Sequence, residues 1–194
     1  MTRYVRQAIT AVLAIVVFTV VTGVVYPFVV WAVGHVAASG QTAGSYVTDA
    51  HGTVVGSSLI GQNFTGPQWF QGRPSAAGTG YDAMYSGASN LSASNPMLLT
   101  QVQQRKATIA VQDGVAPSEV PADALTASGS GLDPDISPAY AAIQVDRVAR
   151  ARGLSVAQVQ ALVAANTQGR AFGFIGQERV NVLLLNLALA DAAR

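Results

Sequence analysis

Residues 8–38 read AITAVLAIVVFTVVTGVVYPFVVWAVGHVAA, and this stretch decides how the chain is organised. No charged residue occurs between Arg6 and Asp49. A bilayer core about 30 Å thick is crossed by about 20 apolar residues in a helix, so the run is long enough to span with some tilt. Its polar residues are Thr10, Thr19, Thr22, Tyr26 and His35, and threonine hydroxyls can bond back to their own helix. A secretory signal is the rival reading, with Ala37-Ala38-Ser39 as its cut. Signals carry an apolar region of about 7–15 residues. This run is about twice that and holds Pro27 and Trp31, so a retained anchor is expected. Tyr26 and Trp31 lie toward its far end, where amphipathic rings favour the interface.

Orientation follows from the flanking charges. Arg3 and Arg6 precede the run, and no Lys or Arg recurs until Arg73. The positive-inside rule then places the N-terminus in the cytoplasm and the rest outside a cell membrane. The expected division is residues 1–38, cytoplasmic N-terminus and transmembrane helix, and residues 39–194, one extracytoplasmic domain. Within the helix, Pro27 removes an N–H and predicts a kink. Thr19 and Gly23 form a small-xxx-small pair that permits close helix contact. Thr22, Gly23, Tyr26 and Pro27 are therefore the candidate residues for packing against partner helices.

Composition narrows the chemistry. The 194 residues include no cysteine, two histidines and 11% charged residues, with a net charge of +1; about 25% charged is usual. Without cysteine there is no disulfide scaffold, thiol catalysis or Cys-based zinc site. Lys and Arg form no cluster, so a nucleic-acid partner is not expected. The single lysine, Lys106, lies in QQRKATI rather than in a glycine loop, which removes a Walker A site. Neither His35 nor His51 has a second ligand at metal spacing, no Gly-x-Ser-x-Gly elbow occurs, and no carboxylate pair stands out. No catalytic residue and no metal ligand is assigned.

The outer region reads as α+β, with helices concentrated in its C-terminal half. Tyr46-Val47 and Thr53-Val54-Val55 flank a turn and predict a β-hairpin. A second extended stretch is expected at Ala122–Ala127. Asn95-Pro96 and Ser137-Pro138 each place a capping side chain before a proline. They predict helices over 96–112, with Leu98, Leu99, Val102 and Ile109 inward, and over 138–152, ending at Gly153. Arg147, Arg150 and Arg152 crowd the end of that helix, where the dipole favours cations. Ser155 caps a helix over 156–166. Val182, Leu185 and Leu189 predict a last helix over 181–192, with a strand over 180–185 as the competing reading. Asn181 reads as a cap and Asn186 as a buried hydrogen-bonding position. The loop Ala127–Pro138 carries Gly129, Gly131, Asp133 and Asp135. It reads either as a ligand site before a helix N-terminus or as a tight turn feeding the Ser137 cap.

Six segments in order resemble the C subunit of the bacterial Kdp-type potassium-transporting ATPase. They are Thr22–Pro27; Gly56–Gln62 with Phe70–Ser75; Ser86–Leu91 with Asn95-Pro96; Ala127–Pro134 with Ile136–Pro138; Gln144 with Arg147–Ala149 and Ala151–Gly153; and Arg179–Leu183 with Leu185–Leu189. The sequence departs from the family pattern at Ala88, Ser92–Ser94, Asp135 and Gln177. The resemblance marks Gly61, Gln62, Arg73, Pro74, Ser89, Asn90, Ser128, Ser130, Asp133, Arg147, Asn181 and Asn186 as family-motif loop positions. It implies an accessory, stabilising subunit of a high-affinity ATP-driven potassium-uptake complex. The implied partners are a channel-like potassium-translocating subunit, a P-type ATPase subunit and a small single-helix subunit. It also implies a catalytic chaperone that raises the ATPase subunit's affinity for ATP through a transient complex, the one route by which ATP enters. ATP is cytoplasmic while the domain reads as external, so coupling through the pump's conformational states is the physically easier form. The alternative is a stand-alone anchored or secreted binding domain.

Overall fold

Helix starts in this protein are written locally, and the computed structural model, which describes residues 2–192, places them at those signals. The chain forms two units, Met1–Ser45 and Tyr46–Arg194.

The first unit is a long apolar helix in two parts, α1 (Arg3–Val20) and α2 (Tyr26–Ala37), joined by one π-helical turn over Val21–Val25, and then a short helix, α3 (Ser39–Thr42). Arg3–Ala37 covers 35 residues with a mean hydropathy of 2.7 in its most apolar window. At 1.5 Å per residue it is roughly 50 Å long, more than a bilayer core. The Tyr26 N–H reaches back five residues to the Val21 carbonyl. The wider turn lies just where Pro27 has no N–H to offer Gly23 and its ring would crowd that carbonyl. The Thr22 hydroxyl donates to the Phe18 carbonyl at 2.6 Å and Thr10 to Arg6 at 3.0 Å, so both hydroxyls are satisfied within the helix. No residue of the helix is buried by the chain itself. Phe18, Val24, Phe28 and Trp31 stand on a surface that water does not favour.

The second unit is α+β. A two-stranded antiparallel ribbon, β1 (Tyr46–Thr48) and β2 (Val54–Ser57), opens it at the expected hairpin. A long irregular segment leads to α4 (Pro96–Asp113), capped by the Asn95 carboxamide, which accepts from Met97 N–H at 2.9 Å. α6 (Pro138–Arg152) is capped by Ser137 and ends at Gly153 with φ +68°. α7 (Val156–Ala165) carries a reciprocal Ser155/Gln158 capping box. The last helix, α8 (Val182–Ala192), follows directly on a strand, β5 (Arg179–Asn181). Both competing readings of that region hold part of the truth: three residues are strand and the remainder helix. β5 is the middle strand of a small antiparallel sheet, between β3 (Asp135–Ile136) and β4 (Thr167–Gln168).

One core fills the space between α6, α8 and the small sheet. Phe70, Val148, Val159, Val180, Leu185 and Leu189 are fully enclosed. Two expectations need correction. The stretch 122–127 is not extended: Ala122–Leu125 forms a one-turn helix, α5, started by Pro121, with Asp123 in its first turn. Leu99 is 59% exposed, because α4 turns Leu98, Val102 and Ile109 inward instead. Arg147, in the C-terminal half of α6, is only 5% exposed.

Candidate functional site

Eight of the twelve family-motif loop residues fall into two connected polar structures. The first surrounds the turn 127–135. Ser128 Oγ accepts the Gly131 N–H at 2.9 Å, Ser130 Oγ accepts Leu132 N–H at 3.1 Å, and Asp133 accepts Asp135 N–H at 3.0 Å. Gly131 has φ +68°, and a β-carbon there would lie 2.6 Å from both Ala77 N and the Gly87 carbonyl. Only glycine fits that backbone and that space. Neighbouring segments then bond to the turn. Gly61 N–H donates to the Leu132 carbonyl, Ser75 Oγ to the Gly131 carbonyl, and Gly87 N–H and Ser86 Oγ to the Ser130 carbonyl. A β-carbon on Gly61 would meet the Asp133 carbonyl at 2.6 Å, so this approach also requires glycine.

Arg73 reaches the turn through a 2.8 Å ion pair from Nη1 to Asp133 Oδ2. Its own carbonyl accepts the Tyr81 hydroxyl at 2.7 Å. Burial beside Asp133 pushes the Tyr81 hydroxyl up to about 12, with Arg73 pulling the other way. Asp135 is held by Arg179 at 3.0 Å and by the Asn181 amide at 3.2 Å. Burial still raises its carboxyl above the ordinary range, Arg179 opposing and Asp133 adding to the rise. Asn181 also donates to the Ser58 carbonyl and accepts the Leu184 N–H, which caps α8. Asp123 holds both the N–H and the hydroxyl of Ser137, at 2.7 and 2.9 Å. Arg73, Asp123, Asp133, Asp135, Ser137 and Arg179 line a cavity of about 240 Å³ with Gln177 and Glu178.

The second structure ties residues 67–73 to the helices. This segment crosses the core without regular structure, so its backbone groups need side-chain partners. Asn186 on α8 bonds both the N–H and the carbonyl of Phe70. Gln144 on α6, fully enclosed, does the same for Gln71. Arg147 donates to the Pro67 and Trp69 carbonyls, to Gln144 Oε1 at 2.7 Å and to Asp113 Oδ1 at 2.6 Å. Burial raises the Asp113 carboxyl and Arg147 opposes that rise. Arg152 donates to the Gln68 carbonyl and lies 4.0 Å from the Trp69 ring centroid.

The other motif residues stand apart from these two networks. Gln62 donates to the Val55 carbonyl of β2 at 2.9 Å. Pro74 follows Arg73 on the strap and lines a neighbouring cavity of about 310 Å³. Ser89 and Asn90 are exposed, with Asn90 at φ +51°. Thr22, Gly23, Tyr26 and Pro27 lie in or beside the π turn of the first unit. Asp123, Gln144 and Asp113 were not singled out as site residues from the sequence, yet they complete both networks. Asp123 and Asp113 meet partners 14 and 34 residues away, and Gln144 reaches Gln71, 73 residues away, besides its neighbours Tyr140 and Arg147 on α6.

Chemically, Asp123, Asp133 and Asp135 are turned to N–H groups, amides or guanidinium groups that hold loops together. Such an arrangement fixes a surface; it does not move protons. A family model for KdpC, the K+-transporting ATPase c chain, matches residues 8–191. Similar relatives are each named potassium-transporting ATPase KdpC subunit. One from Kineococcus radiotolerans is 55% identical over 193 residues, covering 100% of this chain and 97% of the relative. One from Beijerinckia indica is 48% identical over 189 residues, covering 97% and 94%. One from Caulobacter vibrioides is 52% identical over 173 residues, covering 89% and 86%. The match runs from the apolar helix through α8, and the chain therefore belongs to the KdpC family, the non-catalytic subunit of the Kdp K+-transporting ATPase complex.

Proposed function

We propose that this chain is a single-pass accessory subunit that holds the potassium-uptake complex together from outside the cytoplasm. Its partners in this reading are the channel-like potassium-translocating subunit, the P-type ATPase subunit and the small single-helix subunit. The observation that carries the reading is the extent of the family match, which includes the apolar helix as well as the second unit. The N-terminus is cytoplasmic by the Arg3/Arg6 flank, and Thr22, Gly23, Tyr26 and Pro27 pack against partner helices. The second unit covers the potassium entrance.

Coupling to ATP affinity is then allosteric, through contacts that differ between the pump's states. The residues present do not fit a triphosphate cradle. Lys106 lies inside α4, neither in a glycine loop nor in that helix's first turn.

The test is a complex whose copy of this chain keeps residues 1–45 and lacks 46–194. Potassium affinity or potassium-dependent ATPase activity is expected to fall. Unchanged values of both would overturn the covering role.

A further inference from the structure

β4 and β5 are joined by a hairpin whose tip the two polar networks do not use. Its tip, Phe172-Gly173-Phe174-Ile175, carries three large apolar side chains at 89%, 73% and 52% exposure. Together they present roughly 400 Å² of apolar surface, as large as the biggest apolar patch on a typical monomer, which is often functional. The tip is also fixed in shape. Ala171 and Ile175 exchange both backbone hydrogen bonds at 2.9 Å, and Gly173 N–H closes on the Arg170 carbonyl at 3.1 Å. Phe172 sits at φ +53°, a left-handed conformation that a bulky side chain seldom adopts. The base of the hairpin is bolted down by β5 pairing to both β3 and β4 and by the Arg179–Asp135 ion pair. The β4–β5 hairpin therefore ends in a backbone-closed aromatic knob.

We infer that this tip is a docking knob that seats in an apolar pocket of a partner subunit in the same membrane assembly, an inference that rests on the accessory-subunit reading. Three observations choose that occupant. A fluid lipid surface gives no return on a strained, fixed loop, whereas a pocket of matching shape does. The tip is Phe and Ile with Arg170 alone beside it, not the Trp, Tyr and multiple cations of interfacial lipid binders, and the chain already has its own membrane-length helix. The patch is well below the 1,200 Å² or so that a stable free-standing complex buries. It suits a second contact made after the apolar helix has already raised the local concentration.

The natural chain has no cysteine, so Phe174→Cys introduces one thiol at the tip. Labelling by a water-soluble maleimide is compared for the purified assembly, for the chain alone in detergent, and for the chain alone in lipid nanodiscs. At least tenfold slower labelling in the assembly only is the expected result. Fast labelling in an intact assembly overturns the docking and leaves subunit membership standing. Protection already present in nanodiscs without partners assigns the tip to lipid and overturns it. Protection that follows the chain's own concentration assigns it to a second copy and also overturns it. If no partner co-purifies at all, the accessory-subunit reading fails and the docking falls with it. Phe172→Asn/Phe174→Ser removes the knob with a residue suited to positive φ. It is expected to leave the melting temperature within a few degrees and to raise detergent-driven loss of this chain from the assembly several-fold. Unchanged retention of this variant counts against the knob.

Discussion

The side chain of Asn186 closes on the backbone of Phe70 from both sides: Oδ1 accepts the Phe70 N–H and Nδ2 donates to its carbonyl, each at 2.9 Å. Both residues are at most 1% exposed. Asn186→Leu keeps the branched shape and leaves two enclosed backbone groups unpaired. At about 1–3 kcal/mol per orphaned group, destabilisation of about 3–5 kcal/mol is expected in urea unfolding of the full chain in detergent. A loss under 1 kcal/mol would mean that the strap 67–73 does not depend on this contact.

Arg147 and Asp113 form the other anchor of the same strap, with side chains 5% and 2% exposed. Removing one partner of a buried pair costs about 3–5 kcal/mol, because the other charge stays behind. Arg147→Met is expected to fall in that range, since it also strands the Pro67 and Trp69 carbonyls. Asp113→Leu/Arg147→Met should cost clearly less than the sum of the single changes. Strict additivity in that cycle would contradict a coupled pair.

Gly131→Ala places a methyl 2.6 Å from Ala77 N and the Gly87 carbonyl, at φ +68°. Backbone strain and overpacking each act, at about 1–3 kcal/mol. A drop in melting temperature of roughly 5–10 °C is expected. Gly129→Ala, with open space around it, should change it by no more than about 2 °C.

The Tyr81 hydroxyl, raised from 10.0 to about 12, gives a signed pH effect. Below pH 10 folded and unfolded chains both keep the proton. Between pH 10 and 12 the unfolded chain releases it first, so stability is lost as pH rises, by about 3 kcal/mol at most. Tyr140 is raised too, by burial and by Asp113, and adds to the alkaline loss. Tyr81→Phe should therefore flatten the fall between pH 10 and 12 by the slope of one proton without abolishing it. An unchanged slope in pH-dependent urea unfolding would show that Tyr81 is not held as described.

The helix starts at Asn95-Pro96, Ser137-Pro138 and Ser155 were legible because a cap and its N–H partner lie within three residues. Asn181 was legible for the same reason, and Asn186 because a polar residue sat on the apolar face of α8. The apolar helix was legible from length and charge alone. The buried pairing of Arg147 with Asp113 was not, since the two lie 34 residues apart. Strands of two residues, such as β3 and β4, carry no periodic signal. Ala122–Leu125 lacked one for the same reason and folded as a helical turn. The aromatic tip escaped notice because Phe172 and Phe174 alternate like core residues, and only the tight Ala171–Ile175 closure turns both outward.

Native mass spectrometry of a tagged copy, gently extracted from membranes of potassium-starved cells, tests membership of the assembly most directly. Co-purification of the intact chain with two large membrane proteins, carrying potassium-dependent ATPase activity, is the expected result. A lone species at the intact mass, persisting in detergents that preserve other membrane complexes, would contradict it, as would a lone species trimmed near Ala38.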